Sequence, residues 1–125
     1  MVQTVGILGA SEKPERYSYL AFKMLQEYGH KTILISPQLK NKLSEFEKSP
    51  VLSEISDIDE AIDTLTMYVG ADKSSLMQEK IIKLKPKRVI FNPGSENPNL
   101  QLSLSKAGIE VLEACTLVLL RTNQF

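Results

Sequence analysis

The chain has 125 residues, 42% hydrophobic and 24% charged, and its fifteen basic residues are balanced by fifteen acidic ones. That is enough for one folded core, and the neutral balance excludes the broad positive field that sequence-independent nucleic-acid binding needs. The one cysteine, Cys115, excludes an internal disulfide and a multi-cysteine metal cage, and no apolar run approaches the ~18 residues of a membrane span, so the chain is expected to be cytoplasmic, with no membrane partner.

In chain order, Val2 to Leu8 is a short apolar run with no basic segment before it, and reads as a strand rather than a signal peptide. A helix follows from about Tyr17 to Tyr28, with Ala21, Met24, Leu25 and Tyr28 on one buried stripe, and Gly29 ends it. Lys31 to Ile35 is the second strand, stopped by Ser36-Pro37. The segment from Gln38 to Pro50 is polar and mixed in charge, and reads as loop. A short third strand at Val51-Leu52 and a helical turn at Asp59 to Ile62 lead into a β-rich run, Thr64 to Val69.

Met77, Ile81 and Leu84 space a helix from about Lys73 to Lys85, and Pro86 separates it from the fifth strand, Arg88 to Phe91. After the Asn92-Pro93-Gly94-Ser95-Glu96 loop, Asn97 is an N-cap with Pro98 at the first helical position. Leu100, Leu104 and Ala107 are that helix's buried face, and Gly108 closes it. Ile109 to Leu112 is the last strand, and Ala114 to Leu120 a terminal helix.

Strands and helices in alternation require right-handed crossovers. The expectation is therefore an α/β fold, a Rossmann-like three-layer α/β/α arrangement over residues 1–125. Its mostly parallel sheet has five to six strands in the order 3-2-1-4-5, with the sixth at the edge. A ligand site then belongs at the carboxyl ends of the strands where the order reverses, where the loops after Leu8, Val69 and Phe91 should converge.

The first of those loops is Gly9-Ala10-Ser11-Glu12-Lys13-Pro14-Glu15-Arg16-Tyr17-Ser18. Its small residues allow backbone to approach a ligand, the next helix offers unpaired amides to a phosphate, and Lys13, Arg16 and Ser18 add donors. A side chain at Gly9 is expected to fill space that a diphosphate needs. NAD is disfavoured, because the G-x-G-x-x-G spacing is absent and the second strand ends in Ser36-Pro37 with no carboxylate before Glu45. No Gly-Lys-Ser/Thr phosphate loop is present.

Gly9-Ala10-Ser11, Lys13 to Ser18, Gly29-His30, Asn92-Pro93-Gly94 with Glu96, and Cys115-Thr116 together resemble the small stand-alone CoA-binding domain proteins. These are similar to the N-terminal domain of the succinyl-CoA synthetase α subunit. The resemblance implies a Rossmann-type domain that binds the ADP part of CoA or acyl-CoA at the first loop. Gly9, Ala10, Ser11, Arg16 and Ser18 would face the phosphates, and Ser36 and Pro37 the adenosine. The chain departs from that pattern after the second strand, where it lacks the glycine-bearing segment many members carry. Lys40 and Lys42 are candidates for the 3′-phosphate, against plain surface positions. Asn92, Pro93 and Gly94 are candidates to line the pocket near the pantetheine arm, although turn chemistry explains them equally.

His30 is expected at the amino ends of the strands, away from a ligand; in the similar succinyl-CoA synthetase fold the phosphorylated histidine lies in a different domain, so that role is not expected to transfer to this chain. Cys115 is expected in the core, with a mixed disulfide to CoA as the sharper alternative. Tyr17, Tyr19 and Tyr68 are either partly buried core or adenine-stacking groups. No acid, base and nucleophile converge at the switch point, so binding without catalysis by the chain itself is the leading function. The alternatives are a nucleotide-positioning subunit whose catalytic residues come from an enzyme partner, or a regulatory homo-dimer using Val118 to Leu120.

Overall fold

Strands that are apolar along their whole length are stable only when both faces of the sheet are covered. The computed structural model, which describes residues 2–125, meets that requirement with a Rossmann-like α/β fold. The elements run β1 (Thr4–Leu8), α1 (Tyr17–Glu27), β2 (Lys31–Ile35), α2 (Pro37–Lys40), β3 (Glu45–Phe46), β4 (Ser49–Leu52) and β5 (Thr64–Met67). They continue as α3 (Ala71–Ser74), α4 (Gln78–Leu84), β6 (Arg88–Phe91), α5 (Pro98–Lys106), β7 (Glu110–Glu113) and α6 (Thr116–Arg121). The strand order across the sheet is β3-β4-β2-β1-β5-β6-β7. Every pairing is parallel except β3 with β4.

Side chains alternate across each strand, so neighbours in sequence enter different layers. Val5, Ile7 and Leu34 pack against Phe22 and Leu25 of α1, Leu39 of α2 and Leu120 of α6. Leu8, Ile33, Ile35, Leu65, Met67, Val89 and Phe91 pack on the other face against Ile81 of α4 and Leu100 and Leu104 of α5. Each wholly buried side chain of this size contributes about 1.5–3 kcal/mol relative to exposure. Polar groups in the layers are paired, as where the Thr66 hydroxyl meets that of Thr116 at 2.8 Å.

The expected parallel order 3-2-1-4-5-6 describes β4, β2, β1, β5, β6 and β7. What it lacks is β3, which lies in the stretch read as a polar loop and adds an antiparallel edge. The β3–β4 turn runs through Glu47 and Lys48, both at positive φ (46° and 69°). This is the backbone of a two-residue hairpin turn, ordinarily signalled by Asn-Gly or Asp-Gly. Neither residue carries that signal, so the hairpin was invisible. Here Glu47 is held from α1 instead: its carboxylate pairs with Lys23 at 2.6 Å and its carbonyl accepts from Gln26 Nε2 at 2.8 Å.

Three other boundaries move. The helical turn expected at Asp59 to Ile62 is a 3-10 turn at Ile55–Asp57, closed by reciprocal Glu54 and Asp57 side-chain capping. The helix expected from Lys73 begins at Ala71 and is broken by a 3-10 turn at Ser75–Met77. The last strand sits one residue later than the apolar run suggested, because β7 is an edge strand whose Glu110 and Glu113 face solvent.

Candidate functional site

β1 and β2 lie side by side at the middle of the sheet, and β5 flanks β1 on the other side. Their carboxyl ends therefore form a crest from which the chain leaves in opposite directions, and a cleft opens there. It has two lobes. A polar cavity of about 580 Å³ on the α1 side is lined by the first loop from Gly9 to Lys13, by Arg16, and by Ser36, Gln38, Leu39, Lys42, Tyr68, Val69, Gly70, Asp72 and Lys73. An apolar cavity of about 480 Å³ on the α4 side is lined by Leu8, Ile35, Pro37, Ile55, Val69, Leu76 and Met77, with Gly9, Ser36, Gln38, Ser53, Glu54, Lys73 and Lys80.

Local chemistry shapes the first loop. The Gly9 and Ala10 amides both donate to the Ile35 carbonyl, at 3.0 and 3.3 Å, which ties the loop to the end of β2. The Ser11 hydroxyl accepts from the Lys13 amide at 3.1 Å and tightens the turn. Two of the backbone donors expected to face an anion are therefore spent inside the protein. α1 nevertheless has Arg16 at its N-cap position and no side-chain cap, so its first-turn amides stay available beside a cation that lines the cavity.

Gly9 has a different physical role from the one expected. Its φ is +85°, and a Cβ there would lie 2.7 Å from the Tyr68 carbonyl oxygen and 2.9 Å from Val69 Cγ1. The space beside Gly9 is filled by β5's own exit, and glycine is needed so that β1 and β5 can part company at the crest.

Lys13, Arg16, Lys42 and Lys73 give the polar lobe four cations against the two carboxylates of Glu12 and Asp72. Only Lys42 among them has an ion-pair partner among the described residues, Glu12 at 3.8 Å. Lys80 and Glu54 pair at 3.2 Å at the mouth of the apolar lobe. Burial pushes the Tyr68 phenol up to about 12, against the opposing pull of the Thr116 and Thr66 hydroxyls. Tyr68 is thus neutral at physiological pH. Neither lobe is lined by a histidine or a cysteine.

Gly9, Ala10, Ser11, Lys13, Arg16 and Ser36 meet in the polar lobe, and Pro37 joins Ser36 in the apolar one. Lys42 is part of the lining and Lys40 is not. Ser18 is buried within α1 and lines neither lobe. Asn92, Pro93 and Gly94 are also outside both. The Asn92 side chain is buried, its Nδ2 donating to Thr66 Oγ1 (2.7 Å) and the Met67 carbonyl (2.9 Å) while its Oδ1 accepts from the Thr116 amide (2.9 Å). Pro93 and Gly94 are exposed at the turn. Of the three tyrosines considered for stacking, only Tyr68 lines the cleft; Tyr17 is exposed and Tyr19 packs near Phe22 and Phe46.

His30 lies at the amino ends of the strands, as expected: its Nδ1 accepts from the Gln3 amide at 3.0 Å and its ring meets Phe125. Cys115 is partly buried at the start of α6 and lines neither lobe. In the Val118 to Leu120 stretch Leu120 is core, and Val118 alone is well exposed. Lys73, Leu76, Met77 and Ile55 went unread as site residues. Lys73 had a usable signal, since it opens the predicted helix directly after a central strand. Ile55 had none, lying between the expected third strand and the turn expected at Asp59 to Ile62.

Residues 3–121 match a family model described as a CoA binding domain. A solved structure described as an uncharacterized protein is 38% identical, with a TM-score of 0.89 over 100% of this chain and 99% of that one. The structure of cell-free ID.343 from Thermus thermophilus is 22% identical, with a TM-score of 0.88 over 99% of this chain and 91% of that one. The dinucleotide forming acetyl-coenzyme A synthetase 1 of Ca. Korarchaeum cryptofilum, solved in complex with phosphate and ADP, is 20% identical, with a TM-score of 0.75. That match covers 90% of this chain but 25% of the synthetase, and at this identity the likeness is one of fold.

Proposed function

The chain belongs to the CoA-binding domain family, and from that premise we propose that it holds the ADP part of CoA or acyl-CoA across the crest of the sheet and catalyses no reaction by itself. The observation that carries this reading is the union of a cation-lined lobe with an apolar lobe along the shared crest of Gly9, Ser36, Gln38, Val69 and Lys73. The diphosphate would lie against Ser11, Lys13, Arg16 and the start of α1, where charge-assisted hydrogen bonds are strongest. Adenine would occupy the apolar lobe beside Pro37, Ile55 and Met77, and Lys42 would reach the 3′-phosphate. An acidic partner for the ribose hydroxyls is missing after β2, which favours CoA over NAD.

Calorimetric titration against CoA, dephospho-CoA, ADP and NAD tests it. CoA should bind more tightly than dephospho-CoA, NAD should bind weakly, and Arg16→Ala should weaken CoA about tenfold by removing one exposed charge-assisted contact. Equal affinity for CoA and dephospho-CoA would remove Lys42 from the account, and absence of CoA binding would remove the reading itself.

A second reading, a nucleotide-positioning subunit, draws on the lining of the cleft. The lining offers Ser, Lys, Glu, Asp and Tyr side chains but no histidine or cysteine; on this reading the reacting group comes from a partner chain, and acyl-CoA turnover would appear only in the complex.

A further inference from the structure

Lys73 is the one cation that lines both lobes of the cleft, and no ion pair among the described residues includes it. It rides on α3, a four-residue helix too short to hold its own shape. Asn97 holds it. This side chain is 4% exposed and caps α5, its Oδ1 accepting from the Leu100 amide at 3.3 Å. Its Nδ2 faces the Ala71 carbonyl at 3.3 Å and the Ser74 and Ser75 hydroxyls at 2.9 Å each. One buried amide therefore pins the segment around Lys73 to the start of α5, while Lys73, which lines both lobes, keeps an ammonium with no ion-pair partner among the described residues.

We infer that Lys73 is the specificity-determining cation that couples the two lobes, and that Asn97 is its positioning residue. The ligand class this selects carries its negative charge covalently joined to a base or other apolar group, as a nucleoside diphosphate or its ester does. A ligand confined to the apolar lobe gains nothing from Lys73. A ligand that crosses the crest must pass it, and preorganisation by Asn97 lowers the entropic cost of making that contact. The inference rests on the proposed reading of the cleft and extends it to a residue outside the first loop.

The test is titration of the wild type, Lys73→Ala, Asn97→Ser and the double variant against CoA, ADP and adenosine, with melting temperatures to confirm folding. Serine keeps an N-cap acceptor but has no amide to reach α3. Lys73→Ala should weaken CoA and ADP by about five- to twentyfold and leave adenosine within about twofold, and Lys73→Arg should restore most of the loss. Asn97→Ser should weaken ADP severalfold in the wild-type background and add little to Lys73→Ala, since it acts through that residue. Tight ADP binding by Lys73→Ala, or a matching loss for adenosine, overturns the assignment while leaving CoA binding intact. Additive losses in the double variant overturn the role of Asn97. If the wild type binds neither CoA nor ADP, the reading of the cleft has failed and the inference falls with it.

Discussion

Tyr68 belongs to the cleft and the core at once: it lines the polar lobe and packs against the α1-side cluster. Burial holds its phenol neutral up to about 12, whereas an unfolded chain would release that proton near 10. Between those values the folded state binds the proton that the unfolded state has lost. The associated stability is therefore complete below pH ~10 and disappears as the pH climbs to ~12, a change of roughly 2 kcal/mol. Tyr68→Phe cannot ionise, and urea midpoints measured from pH 9 to 12 should fall less steeply for it than for the wild type. Parallel slopes would mean that the phenol is not withdrawn from water. The sequence marked Gly9 as a ligand-facing glycine, yet its positive φ and the carbonyl of Tyr68 at 2.7 Å from a built Cβ make it a requirement of the fold before any ligand arrives.

Asn92 shows how an element can absorb a residue that looked functional. One carboxamide joins the end of β6 to β5 through Thr66 and Met67 and to α6 through the Thr116 amide. Asn92→Ala strands those buried groups, and a loss of about 2–4 kcal/mol in chemical denaturation is expected. CoA affinity of the folded variant should stay near wild type, because the side chain touches neither lobe; a large specific loss of affinity would put this loop back at the ligand. Legibility from sequence followed the strength of the local signal. β1, β2, β5 and β6 are short runs of apolar and β-branched residues, and α5 opens with Asn97-Pro98, so each of these elements lies within a residue or two of its expected place. β3 does not, because its turn uses Glu47 and Lys48 in left-handed backbone, held by Lys23 and Gln26 from a helix 24 and 21 residues away in sequence. Nothing within a short window of sequence encodes such support.

Across the whole molecule, the crest is the place where three neighbouring strands end together, and a ligand seated there touches chain segments from both sides of the sheet. Binding to the folded state alone should therefore stabilise all of it: CoA at a hundred times its Kd adds about 2.7 kcal/mol. A rise of several degrees in Tm is expected, smaller with the more weakly held adenosine at the same concentration, and a scan showing no rise with CoA would contradict a native-state site. Among the described residues no helix is long and apolar enough to cross a membrane.

The class of fold, the parallel strand order and the loops that meet at the crest were legible in the chain, because short continuous β-rich runs, helical periodicity and right-handed crossovers leave few ways to cover both faces of a sheet. Most of the first loop was legible too. Packing alone fixes which amides are already spent on Ile35, that the Asn92 side chain is buried, and that Lys73 lines both lobes. Those outcomes depend on groups brought together from distant parts of the chain, and hydrogen-bond partnership across such distances is a property of the packed molecule.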